Sequence, residues 1–243
     1  MKECLLALGF AFMTILSVPA VHPGNRVNAN LSYEDTNQPG KGAHQSGEDS
    51  TYTRVITERA GKIVSALGLP DSLVALRVRG IIVDQYRALN MIYTDRDTKL
   101  KTLKNQQPAP DKPTADSAKK EIEKDVDTRV QQLHGTYLAR LGKELTPAQV
   151  DKVKDGMTYS VLEVTYRAYL EELPSLTEQQ KARILSDLTE AREHAMDAES
   201  SEKKHAWFGK YKGRINNYLS AEGFDMKKAG EEWAKRTKEK QGE

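Results

Sequence analysis

The sequence predicts an all-α protein, a multi-helix bundle of about seven helices without strands. Beyond Thr53, apolar residues recur at helical steps of three and four, and no segment alternates as a strand would. Each apolar stripe has charged residues on the opposite side of the helix, as packed surface helices require. The connections between these segments are short, which favours a bundle.

The helical segments can be placed in order. The first helix, about 53–67, ends at Gly68, a residue type that favours helix C-termini. The second begins near Asp71, and a proline-containing loop, 105–116, separates it from the third. The third helix carries one apolar stripe and stops at Gly142.

A fourth helix is predicted to run without a break from Val150 to Ala168, ending before Pro174. The fifth carries its stripe from Ile184 to Ala195. The sixth occupies 204–219, and a short seventh follows it near the C-terminus.

The N-terminus predicts an export signal over residues 1–20. Lys2 precedes an apolar run, and small residues follow up to Ala20; cleavage as late as Ala29 also fits the small-residue rule. The run is too short to span a bilayer, so we expect no membrane span after cleavage. The predicted location is the periplasm or the extracellular space. Residues 21–52 are predicted to form a flexible leader, and 53–240 a single all-α domain.

Composition limits the possible chemistry. The 37 lysines and arginines nearly balance the 35 aspartates and glutamates, so we expect no nucleic-acid partner. Cys4 is the single cysteine and lies inside the predicted signal, so a mature chain has no disulfide and no thiolate nucleophile. No phosphate-binding loop or metal-ligand spacing occurs, which predicts neither cofactor nor metal.

The motif L-T-x-x-Q occurs twice, at 145–149 and 176–180. Threonine at the N-cap and glutamine three positions later form a capping box, which predicts two helix starts. The motif also resembles the repeats of periplasmic helical chaperones of the Spy and CpxP type. That resemblance implies an alternative function, a periplasmic chaperone or stress protein.

The helix "KHAWFGKYKGRINNYL", 204–219, has an unusual composition. Its aromatic residues lie mainly on the predicted core face, whereas Gly209 and Gly213 lie on the polar side. Each glycine costs about 1 kcal/mol relative to alanine, which indicates close approach by another helix or by a ligand. The candidate ligand-binding residues are His205, Trp207, Lys210, Tyr211, Lys212, Arg214, Asn216 and Asn217.

The side chains of this helix suit a sugar ligand. Amide, ammonium and imidazole groups can bind sugar hydroxyls, and a cation also suits a uronate or a sulfate. Trp207 or Tyr211 can stack on a pyranose ring. Between 201 and 219, five lysines and arginines accompany one acid, Glu202. This local charge favours an acidic poly- or oligosaccharide, although a solvated face would look the same.

Most of the chain also resembles a known family. The stretches that carry the resemblance are 68–90 ("GLPDSLVALRVRGIIVDQYRALN"), 145–180, 191–200 ("AREHAMDAES") and 204–236. They are similar to a family of exported bacterial proteins of unknown function that is described as sugar-binding. The resemblance implies export and a carbohydrate ligand, but it carries no catalytic residues. The leading hypothesis is therefore an exported carbohydrate-associated protein.

A glycan-processing enzyme is the third possibility. It would need two carboxylates brought together by folding, and no catalytic motif identifies such a pair. The possible suppliers are Glu58, Asp84, Glu163 and Glu171.

Overall fold

A computed structural model describes residues 43–241, with side chains described for 50–239. In this range the chain forms eight α-helices and no strand, so the predicted all-α bundle is confirmed. The helices are α1 (Ala43–Ala66), α2 (Ser72–Lys104), α3 (Lys112–Leu141), α4 (Pro147–Met157), α5 (Val161–Glu172), α6 (Glu178–Met196), α7 (Ser201–Ala221) and α8 (Met226–Gln241). None of these described helices has the length and hydropathy to cross a membrane.

The N-terminal predictions are only partly covered by the structure. The predicted signal and the leader up to residue 42 lie outside the described residues. Helix α1 begins at Ala43, well before the predicted start near 53. Tyr52 lies one helical turn before the buried Ile56, and its hydroxyl donates to the Tyr86 carbonyl at 2.9 Å. This contact with α2 extends the packed part of α1 toward the N-terminus.

The helix starts follow the predicted caps. The Asp71 carboxylate accepts hydrogen bonds from two amides in the first turn of α2. Thr146 and Gln149 form a complete capping box at α4, and Thr177 and Gln180 form another at α6. The capping interpretation of the L-T-x-x-Q motifs is therefore confirmed, and local geometry accounts for both copies.

The predicted unbroken fourth helix is wrong, because the chain forms α4 and α5 there. The Ser160 amide donates to the Asp155 carbonyl at 2.8 Å, a bond that closes a helix C-terminus. Tyr159 (φ 59°) and Ser160 (φ 54°) are both left-handed. The residue at the Tyr159 position of this motif is usually glycine, since the left-handed conformation costs other residues about 1–2 kcal/mol. Residue preferences therefore gave no sign of this break.

Two hydrophobic cores share helix α6. Helices α1 to α4 supply most of the first core, in which Ile82 is fully buried, and α5 to α8 supply the second, in which Ile215 is fully buried. The last turn of α6 contributes to both, since Ala195 belongs to the second core and Met196 to the first. Adjacent residues on one helix thus join the two halves of the bundle.

Asp197, which follows α6, is the centre of a buried polar network. Its carboxylate accepts a hydrogen bond from Gln85 Nε2 at 3.0 Å and contacts His134 Nδ1 at 2.6 Å. Its backbone carbonyl accepts the Tyr93 hydroxyl at 2.9 Å. One residue therefore connects the end of α6 to both α2 and α3.

Lys204, in the first turns of α7, binds the same end of α6. Its buried ammonium donates to the carbonyls of Ala195 (3.0 Å) and Met196 (2.7 Å). Burial lowers the pKa of Lys204 to about 8, and the nearby Asp197 charge opposes that shift. The Ala195 carbonyl also accepts the Ala198 amide, so the ammonium adds to the hydrogen bonds at the end of α6 and fixes how α7 leaves that helix.

Ion pairs connect α6 to α4 near this junction. The guanidinium of Arg192, 8% exposed, contacts Asp151 at 2.7 Å and Asp155 at 2.8 Å. Lys154 contacts the neighbouring Glu193 at 2.8 Å. The buried Arg192 guanidinium thus links α6 to carboxylates on two successive turns of α4, although Asp151 itself is 56% exposed.

The strained turn at Tyr159 gives a first prediction. Tyr159→Gly should have a larger free energy of unfolding than Tyr159→Ala, by about 1 kcal/mol, because only glycine adopts positive φ without cost. Urea unfolding of both variants measures the difference, and the comparison removes the contribution of the tyrosine ring. Equal stabilities would contradict a left-handed residue 159.

The Asp197 network gives a second prediction. Asp197→Ala should lower the free energy of unfolding by about 3 kcal/mol, because it leaves Gln85 and His134 facing a site that no longer accepts their hydrogen bonds, whereas Tyr93 keeps its bond to the backbone carbonyl. Chemical denaturation measures the loss. Asp84→Ala, which removes an exposed partner of Arg140, is the control and should cost less than 1 kcal/mol.

The same network gives a pH dependence. The hydrogen bond to Asp197 raises the pKa of His134, and the charges of Asp197 and Glu193 add to the effect. The folded state therefore binds this proton more tightly than the unfolded state does. The stabilisation is fully present below the unfolded pKa of about 6.5 and is lost as pH rises through the higher folded value.

His134→Gln should accordingly flatten the decline in stability above about pH 6.5. Unfolding free energies of the two proteins, measured across a pH series, test this. Parallel curves would contradict a raised pKa at His134.

Candidate functional site

Helix α7 presents the surface on which the candidate residues lie. Its buried face consists of Phe208, Tyr211, Ile215 and Leu219, which pack into the second core as the sequence predicts. Trp207 is only partly buried and lies at the edge of this face. The orientation of α7 therefore places the indole beside α6 with part of its surface open.

A shallow cavity of about 410 Å³ lies between α6 and α7. We call it the α6–α7 cavity. The side chains that line it are Glu190, His194, Trp207, Lys210, Tyr211 and Arg214. Four of the eight predicted ligand-binding residues are thus brought together here, and α6 supplies the other two lining residues.

Aromatic rings form the floor of the α6–α7 cavity. The imidazole of His194 stacks on Trp207, with ring centroids 4.4 Å apart and an interplanar angle of 15°. The Lys210 ammonium lies 4.8 Å from the indole centroid, in a cation–π contact. Tyr211 is tilted against Trp207 with centroids 6.5 Å apart.

The two cations of the cavity differ in what they already bind. The Arg214 guanidinium lies 3.1 Å from the Glu190 carboxylate and 3.3 Å from the buried Asp187, so its charge is largely compensated. Lys210 forms no ion pair with any residue in 50–239 and contacts only the indole. Lys210 is therefore the cation that remains available to an acidic ligand.

Glu190 and Tyr211 are coupled within the cavity. A hydrogen bond from the Tyr211 hydroxyl lowers the pKa of Glu190, and the Arg214 charge adds to this effect. Burial, together with the charge of Glu190, raises the pKa of Tyr211 to about 12. At neutral pH the wall therefore contains an ionised carboxylate and a neutral phenol, and the phenol donates its proton to that carboxylate.

The other predicted residues lie outside the cavity. Asn216 faces α5, where its side-chain oxygen accepts the Tyr169 hydroxyl at 2.6 Å. Lys212 is half-buried on the same side, and its charge opposes the rise that burial produces in the pKa of Glu172. His205 stacks on Tyr159 at 5.8 Å, and Asn217 is exposed.

Gly209 and Gly213 lie on the open face of α7. Apart from the α7 backbone and the two adjacent residues, no described atom is within 4 Å of the position that a Cβ would take at either residue. The explanation that another helix of the described chain packs on these glycines is therefore wrong. Their close-approach role toward a ligand stays a prediction.

The local positive charge is smaller than the sequence indicates. Lys204 is buried and donates to carbonyls of α6, and Arg214 is paired with two carboxylates. Among the cations of this segment, Lys203 and Lys210 are exposed and form no ion pair with a residue in 50–239, Lys212 is half-buried, and Arg214 is exposed but paired.

Sequence reasoning missed Glu190 and His194 as members of the site. They are four residues apart and therefore lie on one face of α6, but only tertiary packing shows that this face meets Trp207. In the described part of the chain, no group of three or more His, Cys, Asp or Glu side chains could hold a metal ion. Glu58 and Asp84, two of the suggested catalytic carboxylates, form surface ion pairs with Arg54 and Arg140.

The fold and site define an all-α protein with an aromatic, partly cationic cavity between two consecutive helices, α6 and α7. The chain belongs to a protein family of unknown function, DUF3826, whose family model matches residues 53–239. That range includes both cores and every residue of the α6–α7 cavity. Comparison with curated proteins gives no significant match.

Proposed function

We propose that this chain is an exported carbohydrate-binding protein and that the α6–α7 cavity binds an acidic saccharide. The observation that carries the proposal is the pairing of a partly open indole with an ammonium that has no carboxylate partner among the described residues. An indole provides an apolar surface for the C–H face of a pyranose, and the ammonium provides the charge that a uronate or sulfate requires.

The polar groups of the cavity suit the rest of a sugar ring. The Glu190 carboxylate accepts hydrogen bonds from hydroxyl groups, His194 can donate or accept them, and the Tyr211 oxygen, whose proton goes to Glu190, can accept one. Aromatic surfaces with a few convergent polar groups are typical of small-ligand sites. The cavity is shallow and open, which suits one or two sugar units at the end or along the side of a longer chain.

The contact between Lys210 and Trp207 does not prevent binding. An exposed cation–π contact contributes only about 0.5–1 kcal/mol, comparable to an exposed ion pair. A ligand that pairs with the ammonium and also stacks on the indole can therefore replace this contact without a large cost. Displacement of the ammonium uncovers the indole for stacking.

Substitutions in the cavity test the proposal. Lys210→Ala and Trp207→Ala should each weaken binding of acidic saccharides by about tenfold or more, since each removes an interaction worth over 1.4 kcal/mol. The full chain is first screened on an array of neutral, uronate-containing and sulfated glycans. Calorimetric titration with the glycans that bind then gives affinities for each variant.

Lys212→Ala is the matched control, because it removes the same charge from the same helix but from the α5 side. It should leave affinity within about twofold, and circular dichroism should show that all variants are folded. Binding that is lost with Lys212→Ala and kept with Lys210→Ala would place the site elsewhere on α7. A full chain that binds none of the acidic glycans would refute the proposal.

A further inference from the structure

Tyr159 and His205 form a second exposed aromatic surface, outside the α6–α7 cavity. The tyrosine is 48% exposed, and its ring stacks on the imidazole with an interplanar angle of 14°. Neither side chain forms a hydrogen bond or an ion pair with a residue in 50–239. We call this pair the Tyr159 platform. Two parallel rings that face water are the kind of surface on which sugar rings stack.

The left-handed backbone conformation at Tyr159 indicates that the tyrosine ring has a function beyond forming the turn. The same helix-ending turn occurs after α7, where the Phe224 amide donates to the Leu219 carbonyl and Gly223 takes the left-handed position (φ 93°). At α4 the chain places a tyrosine in that position, although glycine would serve the turn better. Packing does not explain the choice, because much of the ring is exposed.

The Tyr159 platform and the α6–α7 cavity lie on either side of the open face of α7. His205 and Trp207 are two residues apart, about 200° around the helix. The surface between them includes Gly209 and Gly213, above which no described side chain lies within 4 Å other than those of adjacent residues. A ligand that crossed from one site to the other would meet little obstruction from the helix.

We propose that the Tyr159 platform is a second sugar-stacking subsite and that one acidic oligosaccharide extends across α7 from the α6–α7 cavity to it. The inference rests on the proposed function and adds the length of the ligand. A helix with its side chains is about 10–12 Å wide, which is more than one sugar ring can cover. The ligand must therefore be an oligosaccharide or a segment of a polysaccharide.

A size series tests the inference. The probes are oligogalacturonides and chondroitin sulfate oligosaccharides, from the smallest unit to the octasaccharide, titrated calorimetrically into the full chain. Affinity should rise by about tenfold or more once the ligand is long enough to reach the platform, and then level off. Tyr159→Gly and His205→Ala should remove that rise while leaving the affinity for short ligands unchanged.

Tyr159→Phe is the conservative control and should keep the rise, because it keeps the ring. If wild-type affinity does not depend on length and Tyr159→Gly binds like wild type, the second subsite is refuted and the proposed cavity stands. If Tyr159→Gly also loses short ligands, the platform belongs to the primary site, which overturns the two-subsite arrangement. If no ligand of either series binds to wild type, the inference fails together with the proposed function.

Discussion

The buried carboxylate of Asp197 is the interaction on which the arrangement of the bundle depends. It accepts hydrogen bonds from α2 and α3 at the point where α6 ends, and Lys204 of α7 binds the last carbonyls of that helix. A charge this far from water is stable only when its partners are all in place. The crossing of α6 and α7, and with it the contact between His194 and Trp207, follows from this junction.

The two cations of the α6–α7 cavity have different roles, and their contacts distinguish them. Arg214 is held by Asp187 and Glu190, so it shapes the wall beside Tyr211. Lys210 is held by the indole alone and can turn toward a ligand. A count of cations along α7 treats these two side chains as equivalent. In the structure, Arg214 stabilises the cavity wall, whereas Lys210 is a candidate contact for a ligand.

Much of the fold could be predicted because helix signals are local. Asp71, Thr146 and Thr177 cap their helices through residues at most three positions away, and the apolar spacing of α7 identified its buried face. The break at Tyr159 could not be predicted, since it depends on a conformation that tyrosine disfavours. The contribution of α6 to the cavity could not be predicted from the sequence either, because it depends on packing between helices rather than on residue spacing along one helix.

Because α6 contributes to both cores, the two halves of the bundle are not independent modules. Ala195 and Met196 face different cores, and the partners of Asp197 come from α2 and α3. A fragment holding only α5 to α8 would contain every cavity residue but would expose Met196 and leave a carboxylate without its partners. The site therefore cannot be grafted onto another scaffold as a four-helix piece, and both halves of the bundle have to be inherited together.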